Sequence, residues 1–174
     1  MTLAAKSLLL IAVLGLAACN NPDRYGAGAG GAGGAGGAGG IDTTGLGDPS
    51  NPTSIAYFNQ TVGDRVLFAV DQATISPEGR AVLAGQAQWL MTNTGYAAII
   101  EGHADEQGTR EYNLNLGAKR AAAVQNFLIS QGVPAGRLRT ISYGKERPLE
   151  VCSEEACYAK NRRAVTVLSA GAGV

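Results

Sequence analysis

Residues 25–40 are almost wholly Gly and Ala, with Gly-Gly-Ala recurring. This tract decides the layout of the chain. It has too little apolar surface to offset the entropy lost on ordering. It is not a collagen repeat, because Gly is not held at every third place with Pro between. It is not a phosphate loop either, since no Lys-Ser/Thr follows it. Any core must be built beyond it, and about 115 residues remain there, enough for one ordinary domain. Asp48-Pro49-Ser50-Asn51-Pro52 closes the tract with turn formers. Residues 20–54 therefore read as a flexible tether with a typical reach of about 30 Å.

On the other side of the tract lies a leader. Lys6 supplies a positive start, and residues 7–18 form an apolar run. The run is too short to span a hydrocarbon core of about 30 Å. A buried helix is the other reading, disfavoured by the position of the run at the extreme N-terminus. Leu16-Ala17-Ala18-Cys19 resembles the bacterial lipobox. The resemblance implies cleavage before Cys19, then acylation of its thiol and of the new amine. Several acyl chains anchor stably where one does not. Asn20, rather than Asp, after the cysteine implies the outer membrane by the sorting rule for such lipoproteins. Ordinary cleavage with a free Cys19 is the alternative. The resulting layout is a signal peptide over 1–18, a lipid-anchored linker over 19–54 and a domain over 55–171.

Within the domain the pattern alternates. Residues 65–70 (RVLFAV) form a continuous apolar run, read as a buried strand. Ser76-Pro77-Glu78 starts a helix, with Ser as N-cap, Pro at N1 and an acid in the first turn. Leu83, Ala87, Leu90 and Met91 then recur at helical spacing, and Asn93 to Gly95 end the helix. Residues 96–100 form a second strand, and residues 101–112 a loop. The next helix begins at Asn113, with Leu114, Gly117, Ala121, Val124 and Leu128 on one face. Arg120 sits at the edge of that stripe, and Lys119 points away from it into solvent. Gln131-Gly132 and Pro134 end this helix. A strand over 139–143, a short helix over 154–160 and a last strand over 164–168 complete the order. Short strands alternating with helices predict an α/β (α+β) two-layer sandwich with helices on one face of a sheet. Periodicity does not give the strand order.

The loop holds Glu101, His103, Asp105, Glu106, Arg110 and Glu111, with Gly102 and Gly108 as hinges. If the first two strands run parallel, the Asp71 end of one and the Glu101 end of the other meet at one edge. That brings acids close to the N-terminal half of the Arg120 helix. An acid and an arginine at one rim suit a zwitterion: Asp105 takes an ammonium, and the Arg120 fork takes a carboxylate. A structural Asp105–Arg120 salt bridge fits the spacing equally well. His103 near Asp105 and Glu106 is a weak metal signal without a second His or a Cys pair. No catalytic constellation emerges: there is no nucleophile elbow and no Ser–His or Cys–His set. A hydrolase therefore lacks its chemistry. Positive and negative residues balance at 14 each, which gives no field for nucleic acid. With Cys19 used by lipid, Cys152 and Cys157 favour a disulfide in an oxidising compartment. Of Arg162 and Arg163, one is expected at the surface, and Arg163 beside the carboxylate end of a ligand.

Five stretches together resemble the OmpA-like peptidoglycan-binding family: the strand ending in Asp71, EGHADEQGTREYN at 101–113, NLNLGAKRAAAV at 113–124, SYGKERP at 142–148 and NRRAV at 161–165. The match runs over about 55–170. It implies a mixed four-stranded sheet and a non-covalent clamp on meso-diaminopimelate of the peptidoglycan stem peptide. Asp105 would accept the ammonium and Arg120 would face the carboxylate. Asp71, Asn113, Leu116 and Arg163 fall on motif positions near that pocket. No cofactor is implied. Lipid-anchored members also bind the periplasmic β-propeller protein TolB and the inner-membrane-anchored TolA. They tether the outer membrane to the wall and serve its constriction at division. A stator-like or other wall-anchoring domain is the alternative, but a stator subunit needs a full membrane-spanning helix, which residues 1–18 do not provide. Gln107 stands where many relatives carry a basic residue.

Overall fold

Tyr96–His103 is the spine of the sheet. This strand, β2, lies between two others, with the first strand, β1 (Arg65–Leu67), at one edge. The other two are β3 (Leu138–Gly144) and β4 (Arg163–Ala170), and the order is β1-β4-β2-β3. β4 runs antiparallel to both β1 and β2, while β2 and β3 are parallel. β1 and β2 thus point the same way with β4 inserted between them. The computed structural model describes residues 47–170, which belong to one compact unit. The leader, Cys19 and the Gly/Ala tract lie outside the described residues.

Helices pack on one face of the sheet. They are α1 (Ile55–Tyr57), which runs into a π turn at Phe58–Gly63, then α2 (Pro77–Thr92), α3 (Arg110–Ser130) and α4 (Glu155–Asn161). Tyr96, Ala98 and Ile100 of β2 point inward to meet Leu83, Leu90, Val124 and Leu128. The opposite sheet face is left open, so Leu67, Ile99, Ile141 and Val167 are each 37–50 % exposed. That corrects the reading of 65–70 as a buried strand. The run alternates, with Val66 and Phe68 buried and Leu67 and Val70 exposed, and pairing in β1 stops at Leu67. Met91 is also exposed, while Trp89 is buried.

α3 approaches β2 closely because glycine faces glycine. A Cβ on Gly102 would lie 1.9 Å from the Gly117 carbonyl oxygen, and one on Gly117 would lie 2.4 Å from Ser142 Oγ. Gly102 is therefore a contact surface inside a strand rather than a hinge. Gly108, at φ +90, does turn the loop. α3 begins at Arg110, one turn earlier than the apolar stripe predicts, because the Thr109 side chain caps the Tyr112 amide. β2 likewise continues to His103, paired with β4 as far as Gly102 and with β3 beyond a register shift.

The tether boundary also moves. Residues 48–54, expected in the linker, are fixed onto the domain. Trp89 Nε1 donates to Pro52 O at 2.8 Å, and the Tyr96 hydroxyl donates to Thr53 O at 2.9 Å. Ser54 is buried and its side chain caps α1.

Candidate functional site

The turn after β1 and the loop after β2 reach the same edge of the sheet. A pocket of about 230 Å³ opens there, lined by Val70, Asp71, Asp105, Gln107, Gly108, Tyr112, Asn113 and Leu116. Four of the six residues expected at a ligand site, Asp71, Asp105, Asn113 and Leu116, thus share one cavity. Asp71 adopts a left-handed backbone, φ +55, and accepts a hydrogen bond from the Tyr112 hydroxyl. That bond holds the Tyr112 phenol above its usual pKa, so the hydroxyl remains a donor. Asn113 is buried and donates through Nδ2 to Gln107 O at 2.8 Å, which fixes the shape of the loop. Lys145 braces the same loop from outside, donating to Glu106 O and Gly108 O.

Arg120 is not at the edge of a stripe. It is 0 % exposed. Its guanidinium donates to three backbone carbonyls: Gln72 O at 2.8 Å, His103 O at 2.8 Å and Ala69 O at 3.2 Å. One side chain therefore bolts the turn carrying Asp71 to the strand end leading to Asp105. Burial lowers its pKa to about 10, against the opposing pull of nearby Asp105 and Asp71, and it remains a cation at neutral pH. A guanidinium has five N–H donors, so these three bonds leave two unused.

The Asp105–Arg120 salt bridge that spacing permitted does not form. Asp105 pairs instead with Arg162, Oδ2 to Nη1 at 3.2 Å, and its Oδ1 accepts the Gln107 amide at 3.2 Å. Arg162 also donates to Phe68 O at 3.2 Å and pairs with Glu155. The Glu155 bond raises the pKa of Arg162, and Arg162 lowers that of Glu155. Neither arginine of the Asn161-Arg162-Arg163 run is at the surface: they are 5 % and 7 % exposed. Arg163 donates to Asn161 O and Arg147 O and does not line the pocket. Arg162 was the residue missed. The tandem arginines signalled it, but Arg162 caps the end of α4 just before β4 begins at Arg163, and that junction aims it at Asp105.

Cys152 and Cys157 form a disulfide, with Cα atoms 5.9 Å apart. The closed loop touches the site twice. Ser153 donates to Glu106, as does Tyr158 just beyond the loop, and Glu155 holds Arg162. His103 lies away from the acids of the pocket, its ring 5.6 Å from that of Tyr143. Among the described residues, no three His, Cys, Asp or Glu side chains gather as metal ligands would.

The pocket lies inside a family match. Residues 67–162 match the OmpA family model. The chain belongs to the OmpA family. The peptidoglycan-associated lipoprotein of Mesorhizobium japonicum is 47 % identical, over 95 % of this chain and 92 % of that protein. The protein of the same name from Rhizobium meliloti is 53 % identical over 76 % of each. Among solved structures, the peptidoglycan-associated lipoprotein of Burkholderia pseudomallei superposes with a TM-score of 0.63 at 36 % identity, covering 71 % of this chain and 98 % of that one. The C-terminal domain of Helicobacter pylori MotB, at 22 % identity and a TM-score of 0.57, shares the OmpA-family fold. The family match contains every residue that lines the pocket, as well as Arg120 and Arg162.

Proposed function

We propose that this chain is a peptidoglycan-binding envelope anchor whose pocket takes the diaminopimelate end of a stem peptide. The observation that carries this reading is the pairing of acids with a buried cation. Asp71 and Asp105 line one small cavity, and Arg120 lies fully buried behind the two backbone segments that present them. Asp105 accepts the ammonium. The unused N–H bonds of Arg120 attract the carboxylate. Arg162 holds the Asp105 carboxylate in place. The relatives named above support the wall as the target. Binding of this kind needs no nucleophile and no catalytic base.

The finer points of the reading concern the rest of the envelope. Acylated Cys19 would hold the chain at the outer membrane, and residues 20–46 would let the domain search the wall beneath. TolB and TolA are the protein partners expected of a member of the Tol–Pal system. Mass spectrometry of the membrane form tests the anchor, and an unmodified Cys19 would overturn it.

Pull-down on isolated peptidoglycan tests the pocket. Asp105→Asn is expected to weaken binding about ten- to a hundredfold while unfolding stays cooperative, since one charged hydrogen bond is worth about 1.5–3 kcal/mol. Arg120→Lys is the informative partner variant. Arg120→Ala would leave three buried carbonyls unbonded and confound binding with folding. Wall binding by Asp105→Asn equal to that of the parent chain would remove Asp105 from the site.

A further inference from the structure

The pocket does not end at Asp71. A second cavity of the same size, about 230 Å³, is lined by Asp71, Ala73, Tyr112, Asn115, Leu116 and Lys119. Asp71, Tyr112 and Leu116 border both cavities. The bar between them is the Tyr112 hydroxyl bonded to Asp71. Tyr112 is 49 % exposed, and its side chain makes no other hydrogen bond. Rotating it outward exchanges that bond for one to water, and the freed Asp71 carboxylate is offered to a ligand donor in its place. The two cavities then join into one groove.

The groove is bipolar. Asp71 and Asp105 line its first half, and Lys119 borders its second. Tyr112, Leu116 and Lys119 recur at helical spacing, so one face of α3 lines the whole groove. Tyr112 and Lys119 are about 10 Å apart along the helix axis. About three extended peptide residues cover that length. Lys119 enters none of the ion pairs among the described residues, so its charge is available to a ligand.

We infer that the second cavity is a subsite for a carboxylate carried one or two residues along the same peptide, with Lys119 as its cation and Asn115 as a donor beside it. This rests on the reading that the first pocket takes diaminopimelate. Tyr112 leaves Asp71 as the peptide enters, and the freed Asp71 oxygen accepts an N–H of the ligand. Two carboxylates of a stem peptide lie within range. One is the free α-carboxylate of the γ-linked glutamate before diaminopimelate, and the other is the terminal carboxylate of an alanine after it.

Calorimetry on the full chain separates these sources with three probes: free meso-diaminopimelate, L-Ala-γ-D-Glu-diaminopimelate and diaminopimelyl-D-Ala. Lys119→Gln is expected to bind free diaminopimelate as the parent does. It should lose about three- to tenfold on an extended probe, and the probe that suffers identifies the carboxylate. Equal affinities of variant and parent for all three probes overturn the subsite. So does an equal loss on all three, which would make Lys119 a general field rather than a contact. A parent chain that binds none of the probes instead overturns the reading of the first pocket. Tyr112→Phe, which lacks the bar, is expected to bind the extended probe at least as tightly as the parent, and a tenfold loss would overturn its gating role.

Discussion

His103 is 2 % exposed, and both ring nitrogens lack a hydrogen-bond partner. The Glu101 carboxylate, 3.7 Å from Nε2, is too far to bond. Burial first, then the positive charges of Arg163 and Arg147, push its pKa down to about 4. Above pH 6.5 the ring is neutral in folded and unfolded chains alike. Between about pH 6.5 and 4 the unfolded chain takes up a proton that the folded one refuses, so stability falls as pH falls. The full effect is about 3 kcal/mol, complete near pH 4. His103→Gln is expected to flatten this segment of the stability–pH curve, measured by urea midpoints at pH 7, 5.5 and 4.5. An unchanged slope would assign the acid sensitivity to other groups. That Asp105 and Arg120 come close to one rim was legible from residue chemistry and family likeness, but the state of Arg120 was not. A helical wheel gives an angle about one axis. The three carbonyls that bury Arg120 come from segments 17 to 51 residues away in sequence.

At the scale of elements, the Cys152–Cys157 loop matters because of what hangs from it. It carries Glu155, which holds Arg162, which holds Asp105. Closing a loop of about six residues removes unfolded-state entropy worth about 2 kcal/mol. The double variant Cys152→Ser/Cys157→Ser should lose about that much in urea unfolding and should also bind peptidoglycan more weakly, because Glu155 is no longer held over Arg162. Treating the parent chain with a thiol reductant should reproduce both effects. An unchanged urea midpoint would show that the loop is held by its hydrogen bonds alone. Helix starts were readable where capping chemistry was explicit, as at Ser76-Pro77-Glu78. The start of α3 was hidden because Arg110, Glu111 and Tyr112 are exposed, and an exposed first turn adds nothing to an apolar stripe. The insertion of β4 between β1 and β2 was hidden for a different reason. Periodicity says which face of a strand is buried, whereas its neighbours depend on how the connections cross.

At the scale of the molecule, the one-sided sheet separates the site from the place where the chain enters the domain. The Asp71–Asp105 pocket lies between the turn after β1, the loop after β2 and the start of α3. Residues 48–54 dock elsewhere, against Trp89 and Tyr96, and the cavity between Pro52, Tyr57 and Trp89 shares no residue with the pocket. Turn formers at 48–52 read as linker because turn chemistry is the same whether a segment docks or not. What docks them is the indole of Trp89 and the phenol of Tyr96, whose polar ends need acceptors once their rings are buried against one another at 5.0 Å. Pro52 and Thr53 carbonyls supply those acceptors, and Ser54 caps α1. A chain begun at residue 55 therefore loses two hydrogen bonds and a cap. The expected loss against a chain begun at residue 47 is about 3 kcal/mol, since each bond contributes about 1 kcal/mol and the cap a similar amount. Below its melting transition the shorter chain should still bind peptidoglycan with unchanged affinity. Equal melting midpoints for the two chains would make 48–54 tether after all. A loss of wall binding in the folded shorter chain would show that the entry segment and the pocket are coupled through α2 and the sheet.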